Sequence, residues 1–303
     1  MTYNVEGLPW PVRWGRGAAL ESIGERLAWL RQRGRQPHVV ALQEAFSDDA
    51  KAIGKAAGYA NVVAGPSATE RDGGNVSDWR FIDAGRWVKG ETEGKVLDSG
   101  LLILSDYPVV RVRRMAFPAG ACAGYDCLAN KGAVMVTVKI PGVSTPVDIV
   151  DTHLNSRHAS GVPDLRSNAA YARQTAVLGK FLSANHDPAT PLLVAGDFNM
   201  GPRPVRRAAL LAALEPTSGV TPGSSVRDGL SGCLARSDAA VGDPADARWI
   251  LRRGRDWQFI GNGTAATLAP RDATVLFGRE PGGAMLSDHM GFEVTYRVAK
   301  PAA

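Results

Sequence analysis

PLLVAGDFN, residues 191–199, contains the most informative strand end in the chain. The apolar residues before Gly196 are bounded by turn-forming residues, which is typical of a buried strand. Gly196 allows the backbone to pass a tight position. Because residues i and i+2 of a strand project to the same face, Asp197 and Asn199 should point together from the end of this strand. A carboxylate beside an amide carbonyl suits a hard cation and a phosphoryl group, but an Asx turn that closes a strand accounts for the same residues.

The composition is that of a globular protein with a sizeable core. The chain has 303 residues, of which 45% are hydrophobic, and large sandwiches and barrels reach this size as one domain. No stretch has the composition of a linker, so we predict a single domain over residues 1–303. No apolar run approaches the roughly 20 residues that a membrane span requires. The net charge of +5 weakly favours anionic partners such as nucleic acid or phospholipid surfaces, because it is spread along the chain.

The three cysteines, Cys122, Cys127 and Cys233, argue against a disulfide framework because their number is odd. Cys122 and Cys127 are close enough for one local bridge in an oxidising compartment, and the sequence leaves this point open. The chain starts directly with the pattern of a strand and shows no targeting segment, which suggests a truncated N-terminus. The compartment (secreted, periplasmic or cytoplasmic) is therefore left open, and a monomer is the favoured oligomeric state.

Hydrophobic periodicity predicts a mixture of helices and strands. A strand over 2–5, a helix over 18–33 and a strand over 38–44 come first, so these two strands should be parallel neighbours. Four strands without intervening helices then indicate an antiparallel meander. They are predicted over 100–104, 109–115, 132–140 and 146–153. The other predicted elements are helices over 48–57, 164–184 and 203–214, and strands over 191–195, 255–260 and 291–298.

Two long segments lack a regular pattern. Residues 65–99 are polar and glycine-rich but carry Trp79, Trp87 and several cations. This segment is either a substrate-facing loop or a solvated loop with a few packed aromatic residues. Residues 216–247 are rich in Gly, Pro, Ser and Asp and are predicted to form irregular surface.

Polar residues recur where the predicted strands end or begin. They are Asn4, Glu44, His153 and Asn155, Asp197 and Asn199, Asp256, and finally Asp288 and His289. One polar residue at a strand end means little. Six such strand ends in an otherwise apolar core predict one site, built along one edge of a packed pair of sheets.

Seven short motifs support a resemblance to a known family. They are Thr2-Tyr3-Asn4-Val5, Leu42-Gln43-Glu44, Ser99-Gly100-Leu101-Leu102-Ile103-Leu104-Ser105, Asp151-Thr152-His153-Leu154-Asn155, Gly196-Asp197-Phe198-Asn199, Asp256-Trp257-Gln258-Phe259-Ile260 and Ser287-Asp288-His289. In this order, and over nearly the whole chain, the set resembles the endonuclease/exonuclease/phosphatase superfamily of metal-dependent phosphodiesterases. The resemblance implies an α/β (α+β) fold, a four-layer αββα sandwich of two mixed sheets flanked by helices.

Within this superfamily the chain is similar to the neutral sphingomyelinase branch. The similarity rests on residues 124–132, GYDCLANKG, and on the Asp151-Thr152-His153-Leu154 and Leu42-Gln43-Glu44 variants. The aromatic hairpin with which secreted bacterial sphingomyelinases are thought to grip membranes is not found in the sequence. Four tryptophans could take its place, or else pack within loops: Trp10, Trp14, Trp79 and Trp87.

The resemblance implies the roles of the site residues in a hydrolysis by in-line attack of water. Metal binding, with Mg²⁺ expected and Mn²⁺ or Ca²⁺ as alternatives, falls to Glu44, Asn4 and Asp288. His289 is the expected general base, oriented by Asp256. His153 would donate a hydrogen bond or proton to the phosphoryl or leaving oxygen, and Asp197 would orient the water or a second cation. The expected substrate contacts are Asn199, Asn155, Asn130 and Lys131.

Three readings of the function stay open at this point. A Mg²⁺-dependent phosphodiesterase acting on a sphingomyelinase-like phospholipid is the first. A nuclease acting on DNA or RNA, or a phosphatase acting on another phosphoester, is the second, and the positive charge favours the nuclease. A catalytically inactive binding module is the third, although every matched catalytic position holds a competent residue.

Overall fold

The structure is a computed structural model that describes residues 1–9, 12–71, 74, 78–217 and 227–300. The strands are β1 Thr2–Asn4, β2 Val39–Gln43, β3 Asn61–Ala64, β4 Leu102–Ser105, β5 Val109–Ala116, β6 Gly132–Val138, β7 Val147–His153, β8 Leu192–Asp197, β9 Arg227–Asp228, β10 Val241–Gly242, β11 Asp256–Gly261, β12 Thr267–Phe277 and β13 Gly291–Ala299. The helices are α1 Gly17–Gln32, α2 Asp48–Ala56, α3 Trp79–Asp83, α4 Asp164–Asn185, α5 Pro204–Leu214, α6 Gly229–Leu234 and α7 Pro244–Arg253. Short 3₁₀ turns cover Trp87–Lys89, Ala119–Ala121, Gly124–Leu128 and Glu215–Thr217.

The strands form two mixed sheets. The first has the order β10-β12-β13-β1-β2-β4-β3, and the second has the order β5-β6-β7-β8-β11-β9. β1 and β2 are parallel neighbours, as predicted. β5, β6 and β7 form the predicted antiparallel run, but β4 pairs with β2 in the first sheet. The prediction of one meander was therefore wrong at its first strand, because strand periodicity carries no information about which sheet a strand joins.

Alternation along the strands produces four layers. Along β7, the side chain of Ile149 packs between the two sheets, whereas that of Val150 packs under the helices α4 and α5. Along β2, Val40 and Leu42 face α1 and α2 in the same way. Each sheet is thus covered by another sheet on one face and by helices on the other. This is the αββα sandwich that the resemblance implied.

Several elements escaped prediction. β12 is an 11-residue strand in which Pro270 and an irregularity before Asp272 interrupt the alternation that identifies a strand. The helix α6 lies within the segment 216–247 that was predicted to be irregular, and α7 begins within it and ends beyond it; residues 218–226 of this segment are outside the described part of the chain. Cys122 and Cys127 form a disulfide, and Cys233 is a buried thiol. In the described residues, no helix combines the length and apolar character that crossing a membrane requires.

The strand directions bring the predicted polar residues to one edge. β1 and β2 end where the antiparallel strand β13 begins, and β7 and β8 end where the antiparallel strand β11 begins. In the second sheet, Asp197 is the register partner of both His153 and Asp256. The two sheets face each other through β1 against β8 and β2 against β7. The edge where these strands end is therefore shared by both sheets.

Candidate active site

The end of β8 combines a turn with a functional side chain. Gly196 has a φ of 145°, and a Cβ placed there would lie 2.0 Å from the carbonyl oxygen of Thr152, so this tight position accepts only glycine. The amide N–H of Asn199 donates to Oδ1 of Asp197 at 2.9 Å, which is the Asx turn that the sequence also allowed. The turn uses Oδ1 alone, and Oδ2 of Asp197 faces the other strand ends.

Oδ2 of Asp197 is the atom on which the site converges. It accepts a hydrogen bond from Nδ2 of Asn4 at 3.1 Å, and it lies 3.5 Å from Nε2 of His153 and 3.7 Å from Nε2 of His289. Burial opposes ionisation of Asp197, but the two imidazoles and the hydrogen bonds outweigh it and lower the pKa of this carboxyl to about 2. A permanent carboxylate thus stands at the centre of the site.

Asn4 links Asp197 to the carboxylate of the other sheet. Its Nδ2 donates to Oε1 of Glu44 at 3.0 Å as well as to Asp197, and its Oδ1 accepts from the backbone N–H of Glu6 at 3.0 Å. The amide oxygen is therefore already used, and the metal contact predicted for Asn4 would require its side chain to turn over. In this orientation Asn4 positions two carboxylates.

Glu44 lies directly after β2 in a strained backbone conformation. Its φ of 56° is uncommon for a residue with a long side chain, and strain of this kind is concentrated at functional sites. Burial raises the pKa of Glu44 to about 7, although the hydrogen bond from Asn4 and the charge of Lys131 oppose the shift. About one fifth (19%) of the Glu44 side chain stays accessible. A bound cation would reverse this shift, because it favours the carboxylate form.

His289 and Asp256 form a close pair beside this centre. Nδ1 of His289 lies 2.9 Å from both carboxylate oxygens of Asp256, which leaves Nε2 directed towards Asp197. Burial alone would lower the pKa of His289, but the charges of Asp256 and Asp197 outweigh it and raise this pKa to about 10. Burial raises the pKa of Asp256. Ser287 holds the backbone before His289 in place, because its hydroxyl donates to the carbonyl of Asn4 and accepts from the N–H of His289.

The pKa of His153 is shifted in the opposite direction to that of His289. Nζ of Lys131 lies 3.2 Å from Nε2 of His153, and Nδ2 of Asn199 lies 3.2 Å from the same nitrogen. Burial and the Lys131 charge lower the pKa of His153 to about 3, so the ring is neutral at physiological pH. Nε2 of the neutral ring accepts from these two donors, and the predicted donation of a hydrogen bond or proton from His153 to the phosphoryl or leaving oxygen stays a prediction.

Lys131 is held by a carboxylate that the sequence did not single out. Oδ1 of Asp126 accepts from Nζ of Lys131 at 2.7 Å, and Oδ2 accepts from the backbone N–H of Ser156 at 2.5 Å. Burial would raise the pKa of Asp126, but Lys131 and His153 outweigh it and lower that pKa. Asp126 lies in a Gly-rich segment without periodicity, and only its place five residues before Lys131 in the family-like motif could have drawn attention to it.

Two predicted site residues stand apart from this centre, and a third lies at its rim. The side-chain amide of Asn155 makes two local hydrogen bonds. Its Oδ1 accepts from the N–H of Ala123 at 2.8 Å, and its Nδ2 donates to the carbonyl of Ser156 at 2.8 Å. Asn130 donates to the carbonyls of residues 67 and 70 and so anchors the segment 65–99. Asp288 is at the rim with about half of its side chain (54%) exposed, 3.9 Å from Nε2 of His289.

The described residues of the segment 65–99 form part of the surface next to the turn that carries Asp126. Trp79 and Trp87 expose 68% and 69% of their surface. Tyr125, next to Asp126, lies beside the 3₁₀ turn of Trp87, because its hydroxyl donates to the carbonyl of Val88 at 3.5 Å. Glu91 ties the segment down by accepting from Nε of Arg166 at 2.6 Å and from the N–H of Gly124 at 2.9 Å. Trp14 is also largely exposed, and Trp10 lies outside the described residues.

The donor set of the site fits a divalent cation. Asp197, Asp256 and His289 each offer a ligand atom, and these atoms lie within 4.8 Å of one another. Asp256 and His289 already bind each other, so a cation would have to compete with that hydrogen bond. Glu44 and Asp197, both held by Asn4, offer carboxylate oxygens free of this competition. Hard oxygen ligands of this kind suit Mg²⁺, Mn²⁺ or Ca²⁺.

Fold and site together define a class of protein. A four-layer αββα sandwich with two mixed sheets carries, on one shared edge, carboxylates, a histidine–carboxylate pair and a lysine held beside a second histidine. This is the architecture of DNase I-like phosphoester hydrolases.

The sequence comparison places the chain within that class. Residues 1–289 match the Endonuclease/Exonuclease/phosphatase family, and the chain belongs to this family of phosphoester hydrolases. A comparison with curated proteins found no match.

Three solved structures illustrate the similarity. Sphingomyelinase C from Streptomyces griseocarneus is 22% identical, with a TM-score of 0.62 over 95% of both chains. A beta toxin variant from Staphylococcus aureus, with bound magnesium ions, is 18% identical, with a TM-score of 0.62 over 99% of this chain and 98% of that one. TDP2 of D. rerio, in complex with a single-strand DNA product, is 15% identical, with a TM-score of 0.58 over 98% and 97%. At such identities the likeness shows the fold.

Proposed function

We propose that the protein is a divalent-cation-dependent phosphodiester hydrolase with a histidine general base. The observation that carries this proposal is the arrangement around His289. Its Nδ1 is held by Asp256 and its Nε2 points at Asp197, so the proton-accepting nitrogen is aimed at the same point as the carboxylates of the site. A base oriented by a carboxylate is what activation of an attacking water requires.

Glu44 and Asp197 are the proposed cation ligands, with Asp288 close enough at the rim to take part through a water. They belong to different sheets, and Asn4 holds their carboxylates in a common orientation. Mg²⁺ bound there would neutralise phosphoryl charge and polarise the scissile bond. The pKa of about 7 for Glu44 supports this assignment, because a partly accessible carboxyl with a raised pKa gains most from a neighbouring positive charge.

The pKa of His289 sets the condition under which it acts as a base. At about 10 the ring keeps its proton at neutral pH, and Asp197 is, after Asp256, one of the charges responsible. A cation held by Asp197 would remove part of that effect and would lower the pKa of His289 towards neutrality. His289 would then accept the proton of the attacking water, and Asp256 would stabilise the imidazolium that forms.

Lys131 and Asn199 are the proposed contacts of the phosphoryl group. Both point a donor nitrogen at Nε2 of His153, so a phosphoryl oxygen entering beside His153 would meet an ammonium and an amide N–H together. Such donors stabilise the charge that develops on phosphoryl oxygens in the transition state. His153 accepts hydrogen bonds from both and so aligns these two donors, and Lys131 is the proposed cationic donor to the leaving oxygen. Asn130 and Asn155 act through the loops that they hold.

A phospholipid is the proposed substrate, with a sphingomyelinase-like headgroup. The exposed Tyr125, next to Asp126, and the exposed Trp87, in the turn that Tyr125 contacts, support this choice, because amphipathic aromatic side chains favour a membrane–water interface. The fold shared with sphingomyelinase C and beta toxin supports it as well. The net charge of +5 and the fold shared with TDP2 support a nuclease as the second candidate.

A paired assay tests the proposal. Release of phosphocholine from sphingomyelin vesicles is measured beside nicking of plasmid DNA, each with Mg²⁺ and with excess EDTA. Phosphocholine release that EDTA abolishes, without plasmid nicking, is the expected result. Nicking without lipid cleavage would make the protein a nuclease. Turnover that EDTA leaves unchanged would refute the cation requirement, and no turnover of either substrate, nor of bis(p-nitrophenyl) phosphate, would favour a binding module.

A further inference from the structure

Arg206, on α5, is a buried cation that the proposed reaction does not use. Only 1% of its surface is exposed, although arginine is seldom fully buried. Its Nε donates to Oδ1 of Asn168 at 2.7 Å and its Nη2 to the hydroxyl of Ser167 at 3.2 Å. Its Nη1 donates to the carbonyl of Asn155 at 2.8 Å and to that of Asn199 at 2.9 Å. All four of these partners are neutral oxygens.

The two carbonyls belong to the loops that leave the catalytic strands. Asn155 follows His153 by two residues at the end of β7, and Asn199 follows Asp197 by two residues at the end of β8. A single nitrogen of Arg206 therefore sets the spacing between these two loops. The guanidinium stacks over the ring of Tyr171, with Cζ 4.5 Å from the ring centroid, so its plane is fixed from the side of α4.

Asn199 needs such support from outside its own loop. Its φ of 47° places it in the left-handed region, which costs energy for any residue other than glycine. Its Nδ2 donates to the carbonyl of Leu154 at 3.1 Å and lies 3.2 Å from Nε2 of His153. The orientation of the Asn199 side-chain amide therefore depends on the position of the Asn199 backbone. Arg206 holds that backbone through its hydrogen bond to the Asn199 carbonyl.

Stability alone is a weak reason for this arginine. A buried charge is costly to desolvate, and apolar groups of similar volume often stabilise a protein equally well. The planar guanidinium does offer a geometry that an apolar side chain or a lysine lacks, because its fixed fork directs several N–H groups to acceptors at set angles.

We propose that Arg206 is a positioning residue that holds the loops after β7 and β8 so that the Asn199 amide and the His153 ring face the phosphoryl group. The part of this inference that concerns the phosphoryl group rests on the proposed function. The part that concerns the placement of Asn199 rests on the hydrogen bonds alone. Misplacement of a contact by about 1 Å costs on the order of 100-fold in rate, so the effect is measurable.

A double-mutant cycle tests the inference with bis(p-nitrophenyl) phosphate, which is soluble and independent of the choice between lipid and DNA. Arg206→Lys keeps the charge but loses the fork. We expect it to lower kcat/KM by roughly 10- to 100-fold in the wild-type background. In an Asn199→Ala background we expect a further loss below about twofold, because the side chain that Arg206 positions is already absent.

Arg31→Lys is the matched control. Arg31 also lies over a tyrosine ring, that of Tyr59 at 4.6 Å, and donates to a backbone carbonyl, that of Ala57 at 2.7 Å, beside Asp106 at the opposite edge of the first sheet. We expect Arg31→Lys to lower the melting temperature without changing kcat/KM. An equal loss of kcat/KM in both variants, or an Arg206→Lys effect that is the same with and without Asn199, overturns the inference.

Two further measurements keep the test decisive. Should Arg206→Lys not fold, Asn168→Ala removes only the acceptor of Nε, and a smaller loss with the same dependence on Asn199 is expected. Should the wild-type protein hydrolyse no phosphodiester, the proposed function fails, and the side-chain amide signal of Asn199 in a ¹H–¹⁵N spectrum decides the positioning role by itself. That signal is expected to move in Arg206→Lys and to stay in place in Arg31→Lys, and an unmoved signal in both overturns the inference.

Discussion

Nδ1 of His289 lies 2.9 Å from both carboxylate oxygens of Asp256, a relationship that fixes the ring plane and directs Nε2 into the site. A second histidine–carboxylate pair, whose aspartate lies in the same sheet as Asp256, has a similar contact. Nδ1 of His186 lies 2.9 Å from Oδ2 of Asp148, near the start of β7, whereas the site lies at the end of β7. The protein therefore carries a catalytic candidate and a structural counterpart of the same chemistry.

The two pairs are expected to respond differently to substitution. Asp256→Asn should lower kcat by about 10²- to 10⁴-fold, because the imidazole loses the charge that orients it and stabilises its protonated form. His186→Asn should lower the melting temperature and leave kcat unchanged. Both quantities are measured on both variants with Mg²⁺ present. Full activity in Asp256→Asn would remove His289 from the role of oriented base.

Cation binding should depend on Glu44. Glu44→Gln preserves the shape of the side chain but removes its charge, so we expect the affinity for Mg²⁺ to fall by about tenfold or more. Asp288→Asn should have a smaller effect, because that side chain is half exposed at the rim and its charge is screened. Isothermal titration calorimetry with MgCl₂ compares the two. Equal Mg²⁺ affinities of wild type and Glu44→Gln would place the cation elsewhere.

Lys131 is expected to matter for rate more than for stability. Lys131→Met removes the ammonium next to His153 and should lower kcat by about 10²-fold, the usual effect of losing one preorganised donor. Asp126→Asn should give a smaller loss, since Lys131 stays in place but is less firmly held. Lys139→Met is the control, because Lys139 is an exposed lysine directly after β6. It should retain full activity. Wild-type kcat in Lys131→Met would contradict the assignment.

Acid should destabilise the protein partly through Asp148. Burial opposes ionisation of this carboxyl, but hydrogen bonds from His186 and Thr137 and the charge of Arg111 outweigh it and lower its pKa below the ordinary value. A lowered pKa in the folded state adds stability above the unfolded pKa of about 3.9, and that stability is lost as the pH falls through the folded pKa.

Urea unfolding between about pH 6 and pH 3 measures this contribution. Asp148→Asn should be less stable than wild type at pH 6, and the difference between the two proteins should shrink as the pH falls. A constant difference across the range would show that the carboxylate form of Asp148 adds no stability.

The exposed aromatic surface should affect lipid substrates selectively. Trp87→Ser removes a largely exposed tryptophan beside Tyr125, and we expect activity on sphingomyelin vesicles to fall by about tenfold. Activity on bis(p-nitrophenyl) phosphate should not change, because that substrate needs no interface. Trp29→Ser, on the outer helix α1, is the control for loss of an exposed tryptophan. Equal losses on both substrates would assign Trp87 a structural role.

Local sequence determined the strands and their polar ends. The apolar run before Gly196 became β8, and the steric conflict between a side chain at Gly196 and Thr152 explains why glycine stands there. The positions of Asn4, Glu44, Asp197 and His289 were predictable because a polar residue at the end of a strand in an apolar core lies at the edge of the sheet. The order of these motifs then pointed to the αββα sandwich, which the structure and the family match confirm.

Long-range contacts decided the rest. Periodicity does not tell which sheet receives β4, and nothing local marks Arg206 as the bridge between two loops. The protonation states depend even more on the tertiary structure. His289 and His153 lie in the same buried site, yet two carboxylates raise one pKa to about 10, while burial and Lys131 lower the other to about 3. Two identical residues at strand ends thus acquire opposite chemistry, because the charges around an imidazole come from residues far apart in sequence.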